Sequence, residues 1–245
     1  MAKFAVILPA AGKSSRFRDK EKKPYAALDG RPVWLRTAEL FVSRDDVCQC
    51  FLVIDPSDEE MVRRKFGPNL AFLNISLVFG GNERFESVSN ALKKLNEEVE
   101  FVAIHDSVRP CVTPELIDTV FLQATKTGAA ILAVPLADSL KRGTSSEPFM
   151  IEQSLPRERL WLAQTPQVFS KEILLKAYQT IPLGVTDDCQ VVEAIGTKVS
   201  IITGSLSNIK ITTKDDLFLA DAILKARPKP KGHMSAHPFA DDLFK

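Results

Sequence analysis

The first twenty-five residues constrain the fold more than any other stretch. Residues 4–8, Phe-Ala-Val-Ile-Leu, form a short continuous apolar run, the pattern of a strand buried on both faces. Pro9 ends it, because proline cannot donate to a ladder. Ala10, Ala11 and Gly12 follow, and side chains this small let a ligand approach backbone N–H groups. Successive N–H groups in such a turn make a concave nest that favours anions. Lys13, Arg16, Arg18, Lys20, Lys22 and Lys23 then fall within eleven residues. A backbone cradle followed by clustered cations suits a polyphosphate. It is neither a Walker loop, which needs an earlier Gly, nor the dinucleotide fingerprint, which needs three. Taken alone, these residues also allow a solvated basic loop after an edge strand.

Strands and helices alternate beyond the loop. Residues 32–42 carry apolar side chains at helical spacing with proline in the first turn, and Trp34 and Phe41 read as core. Residues 48–54 read as a strand and 57–66 as a helix capped by Ser57 or Asp58. Residues 75–79 and 101–104 read as strands, with a helix from about residue 88 between them. A helix over 113–128 and a strand over 129–134 follow. This pattern predicts an α/β fold with a doubly wound, mostly parallel, Rossmann-like sheet. Ligands bind outside the carboxyl ends of such strands, so the loops at 9–23, 80–84 and 105–110 should meet at one crevice.

The alternation breaks over residues 137–158. Two polar strand-like segments flank Gly143-Thr144-Ser145-Ser146-Glu147-Pro148, which predicts a hairpin with little to bury. An isolated hairpin is marginal in water, so this one should pack on a second subunit. Afterwards 171–178 and 187–195 read as helices, 198–202 and 208–212 as strands, and 214–225 as a last helix. The expected organisation is one domain over 1–136 and 159–227, a dimerisation arm over 137–158, and a mobile tail over 228–245. His233 and His237 would chelate a metal only if helical, and the neighbouring prolines argue against that.

The formal net charge of +1 excludes a global attraction to nucleic acid or anionic membrane. The basic cluster is local, which favours a small anionic partner. The four cysteines form no Cys-x-x-Cys pair, no apolar run reaches a membrane span, and no signal-peptide pattern opens the chain. A reducing cytoplasm is the expected location.

A second motif faces the loop. Residues 102–110 read Val-Ala-Ile-His-Asp-Ser-Val-Arg-Pro, placing Asp106 and Arg109 just past a strand. On their own they fit a catalytic pair or a structural one. The Pro-Ala-Ala-Gly opening resembles the nucleotidyltransferases that make nucleoside-diphosphate sugars and alcohols. His-Asp-x-x-Arg-Pro resembles the characteristic segment of the 2-C-methyl-D-erythritol 4-phosphate cytidylyltransferase family. Gly80-Gly81-Asn82-Glu83-Arg84, Ser87-Val88, Trp161, Gln164-Thr165-Pro166-Gln167, Thr186-Asp187-Asp188 and Asn208-Ile209-Lys210-Ile211-Thr212 are similar to its other motifs, in order, over residues 3–226.

The resemblance implies transfer of CMP from CTP to a polyol phosphate, with Mg²⁺ held mainly by phosphates, in a homodimer whose arm completes the neighbour's site. By position, Arg16, Lys23 and Lys210 correspond to catalytic residues. Ala10, Ala11, Gly12, Lys13, Gly81, Asn82 and Ser87 correspond to nucleotide contacts. Asp106, Arg109, Ser139, Arg157 and Thr165 correspond to the acceptor side. Ser14 stands where the family usually has Gly, Ser139 where it has Thr, and Asn82 where an acid is common. The sister ribitol-5-phosphate cytidylyltransferase and a non-catalytic nucleotide-binding protein are the alternatives.

Overall fold

The computed structural model describes residues 2–12, 14, 17, 21–182 and 184–228. Lys13, Arg16 and the segment 229–245, with His233 and His237, lie outside the described residues.

The strand β1 (Phe4–Pro9) is central. Along it Phe4, Val6 and Leu8 face one helical layer, while Ala5 and Ile7 face the other. This is the two-sided burial that the apolar run predicts. A short ribbon, β2 (Ala27–Leu28) and β3 (Arg31–Pro32), leads to helix α1 (Val33–Val42). Strand β4 (Val47–Ile54), helix α2 (Glu59–Phe72), strand β5 (Ile75–Phe79) and helix α3 (Arg84–Leu92) extend the sheet to one side. Helix α2 runs through Pro68 to Phe72, past the expected end at residue 66, because Leu70 also reaches the core. The chain then crosses to the other side of β1 for β6 (Phe101–Ile104), α4 (Pro114–Thr127) and β7 (Ala129–Pro135).

A hairpin, β8 (Leu140–Gly143) and β9 (Ile151–Leu155), forms a separate two-stranded sheet. Strand β10 (Trp161–Ser170) and helices α5 (Lys171–Ala177) and α6 (Asp188–Glu193) follow. Then come β11 (Ser200–Thr203) and α7 (Lys214–Ala226). The main sheet has the order β11-β7-β10-β6-β1-β4-β5. Strand β10, absent from the sequence reading, inserts antiparallel between β6 and β7; the other pairs are parallel. The fold is therefore α/β with a mostly parallel sheet. Trp34 and Phe41 are fully buried.

The strand expected over 208–212 is absent. That segment makes one backbone bond to the loop after β6, from Ile211 N–H to the Val108 carbonyl (2.9 Å). Its apolar residue Ile211 packs with Phe17, Val108 and α7. Alternation there reflects packing against loops, which periodicity cannot tell from a sheet face. Among the described residues no helix is long and apolar enough to cross a membrane.

The end of β6 is fixed by His105, which is wholly buried. The Asp106 N–H donates to Thr165 Oγ1 (3.1 Å); because the Arg109 carbonyl can only accept, the ring proton sits on Nε2 and the Thr165 hydroxyl donates to His105 Nδ1 (3.1 Å). His105 Nε2–H then donates to the Arg109 carbonyl (3.1 Å). The ring is a neutral Nε2 tautomer that ties β6, β10 and the 105–110 turn together. Burial lowers the His105 pKa to about 4. Below pH 6.5 the unfolded chain takes up a proton that the folded chain refuses, so stability falls as pH drops from 6.5 toward 4. This one group should remove about 2 kcal/mol at pH 5. Urea unfolding of wild type and His105→Gln at pH 7 and pH 5 checks it. The variant should start less stable and lose less on acidification; an equal loss in both proteins would contradict it.

Candidate active site

The chain passes from β1 to strands on one side and returns to β6 on the other, so a crevice opens beyond the carboxyl ends of β1 and β6. A cleft of about 190 Å³ lies there. Ala10, Ala11 and Gly12 line one wall, with Ser14, Lys23 and Pro24 continuing it. Gly81, Asn82 and Ser87 line a second wall, at the N-terminus of α3. The two walls are in close contact: a side chain at Gly80 would come within 2.6 Å of Ala11 Cβ and 2.7 Å of Ser87 Oγ. Gly81 N–H donates to Ser87 Oγ (3.1 Å), and Glu83 N–H donates to Glu86 Oε2 (3.1 Å).

The floor is Asp106, which is 7% exposed. Its Oδ2 lies 3.1 Å from Arg109 Nε and 3.1 Å from Lys210 Nζ. Its Oδ1 faces Arg84 at 3.9 Å. Burial alone would raise this carboxyl's pKa, but Lys210, Arg84 and Arg109 outweigh it and hold Asp106 well below the ordinary carboxylate range. Arg84 is shared: its Nη1 also pairs with the buried Asp188. The other Asp188 oxygen accepts the Tyr178 hydroxyl at 2.6 Å. Burial and Asp188 push that phenol up. Arg109 Nη1 donates to the Asn208 carbonyl (2.7 Å), and Asn208 Nδ2 donates to the Thr165 carbonyl (2.9 Å). Among the described residues Arg84, Arg109, Lys210 and Lys23 stand against Asp106, Asp188 and Glu83, so the site keeps one excess positive charge.

The three loops singled out in the sequence thus meet at one cleft. Thr165 lies just beneath, buried against Asp106. Arg109 touches Asp106 without lining the opening. Ser139 and Arg157 lie elsewhere: both are exposed near the base of the hairpin, and Arg157 donates to the Ala137 carbonyl. Arg84 belongs to the Gly-Gly-Asn-Glu-Arg segment but is not among the site residues that the sequence implies, and the structure places it in the cleft. Its partner Asp188 is 104 residues away, and no local pattern pairs them. Ser14 has φ +53°, the left-handed region that favours Gly.

Comparison with known proteins gives the family. Residues 4–226 match the family model for 2-C-methyl-D-erythritol 4-phosphate cytidylyltransferase. A relative of that name from Alkaliphilus oremlandii is 36% identical over 231 residues, covering 93% of this chain and 97% of its own length. One from Syntrophus aciditrophicus is 40% identical over 228 residues, covering 91% and 96%. The crystal structure of the Francisella tularensis 2-C-methyl-D-erythritol 4-phosphate cytidylyltransferase superposes with a TM-score of 0.75 at 31% identity, covering 91% of this chain and all of the other. The chain belongs to the 2-C-methyl-D-erythritol 4-phosphate cytidylyltransferase family of nucleotidyltransferases.

Proposed function

We propose that this protein transfers CMP from CTP to 2-C-methyl-D-erythritol 4-phosphate, giving CDP-methylerythritol and pyrophosphate in isoprenoid precursor synthesis. The observation that carries this reading is the Asp106-centred cation cluster facing the small-residue loop after β1 across one cleft.

A phosphate oxygen of the acceptor attacks the α-phosphorus in line, and the bond to the β-phosphate oxygen breaks as pyrophosphate leaves. The attacking phosphate has a second pKa of about 6, so it is ionised near neutral pH and needs no strong base. What remains is to hold two polyanions together and to stabilise charge on oxygen. Backbone N–H groups at Ala11 and Gly12 cradle the triphosphate; that of Ala10 is already given to the Val53 carbonyl (2.7 Å). Lys23 faces the α-phosphate, and Lys13 and Arg16, outside the described residues, carry the phosphate roles that the family resemblance implies. The α3 N-terminus with Gly81, Asn82 and Ser87 receives the base. Asp106 orients Lys210 and Arg109 toward the acceptor.

The cleft's carboxylates among the described residues are Asp106 and Glu83. Asp106 is already neutralised by Arg109, Lys210 and Arg84, so Mg²⁺ would be held mainly by phosphate oxygens. When bound, Mg²⁺ would neutralise charge on the triphosphate. Pyrophosphate release with CTP and each of the two polyol phosphates tests the reading. Release with the methylerythritol phosphate is expected; a preference for ribitol 5-phosphate, or CTP binding without release, would overturn it.

Lys23→Ala should lower kcat by about 10²–10³, the usual cost of one transition-state donor, while KM for CTP changes little. Steady-state kinetics decide; a raised KM with kcat within a few-fold of wild type would make Lys23 a binding residue.

Arg157 and Ser139 lie outside their own chain's cleft, which supports a homodimer in which the arm completes the neighbour's acceptor site. A guanidinium fork suits a phosphate. Arg157→Ala should lower kcat/KM for the polyol phosphate by about ten- to a hundredfold with CTP binding kept. Mixing Arg157→Ala with Lys23→Ala subunits should restore activity, because one site in each heterodimer is then intact. No recovery despite proven exchange, or a monomer at working concentration, would contradict the shared site.

A further inference from the structure

Asp58 lies outside the cleft yet reaches the loop that carries Lys23. It ends the single helical turn Pro56–Asp58 after β4 and is almost fully buried. Its Oδ2 accepts the Lys22 ammonium at 2.8 Å and the Tyr25 hydroxyl at 3.1 Å. Asp55 adds a second carboxylate to Lys22 at 3.7 Å. The Tyr25 ring is buried against Phe66 of α2, with centroids 6.1 Å apart. One carboxylate therefore grips the residues on both sides of Lys23-Pro24. Those two line the cleft, while Lys22 and Tyr25 do not.

A second pin comes from the cleft side. Lys23 N–H donates to Ser14 Oγ at 3.2 Å. A glycine at position 14 would suit the left-handed backbone better but would have no hydroxyl to offer. The backbone at Lys23 is thus held from both sides before any substrate arrives. Pre-set orientation matters most for a donor that acts only as charge builds, since the ordering cost is met in the folded protein.

We propose that Asp58 is the positioning residue of the phosphate loop, fixing Lys23 through Lys22 and Tyr25. This rests on the reading of Lys23 as the donor to the reacting phosphate. Asp58 does not line the cleft, so its effect on rate runs through Lys23.

The test is a double-mutant cycle on the intact chain, with kcat and KM measured for CTP. Asp58→Asn should lower kcat by about tenfold or more, as small misplacements of a reacting group do, with KM for CTP within about threefold. In a Lys23→Ala background Asp58→Asn should cost nothing further, because the group it positions is gone. Tyr25→Phe keeps the buried ring, removes one of the two bonds and should show a smaller loss with the same dependence on Lys23. It serves as the readout if Asp58→Asn folds poorly. A second loss multiplied onto Lys23→Ala, or wild-type kcat in both Asp58→Asn and Tyr25→Phe, would overturn the positioning role. Wild-type kcat in Lys23→Ala itself would instead overturn the reading of Lys23 beneath it.

Discussion

The site depends on one buried carboxylate. Asp106 lies at the carboxyl end of β6 and draws Arg109, Lys210 and Arg84 to one point. Without it, three like charges would be forced together in a low-dielectric crevice and would repel one another. With it they converge and still leave positive charge for a polyanion. Each cation is anchored a second time or comes from a separate segment. Arg84 is tied to Asp188 on α6, Arg109 to the Asn208 carbonyl, and Lys210 arrives on the segment before α7. The cluster thereby couples three distant parts of the chain.

The sheet makes this convergence possible. Strand β1 sits where the strand order turns back, and the loops after β1 and β6 share the resulting gap. Alternate residues of β1 supply both halves of the core, so the strand that carries the phosphate cradle is also hard to shift. His105 and Thr165 lock β6 to the antiparallel β10 beneath the floor. A rigid base under a cationic cleft suits a reaction whose catalysis is orientation and charge stabilisation.

Features written in short segments were legible in the sequence. The apolar run before Pro9, the small-residue turn and His105-Asp106 each declare their chemistry within ten residues, and they meet as expected. What stayed hidden depends on contacts between distant segments. Strand β10 turns antiparallel only because of where it is inserted. Residues 208–212 look like a strand, yet bury Ile211 against loops and α7. Arg84 and Asp188 carry no mark of their pairing, and neither do Asp58 and Tyr25.

The organising role of Asp106 can be separated from its charge. Asp106→Asn makes the cleft more positive while releasing three cations from their common partner. If the cleft worked by net charge, CTP would bind more tightly and turnover would survive. CTP affinity by calorimetry, measured alongside steady-state turnover of the same variant, is the direct measurement. The expected result is CTP binding equal to or tighter than wild type with kcat reduced about a hundredfold or more, the scale set by misplaced catalytic groups. Turnover within a few-fold of wild type would contradict the central place of Asp106.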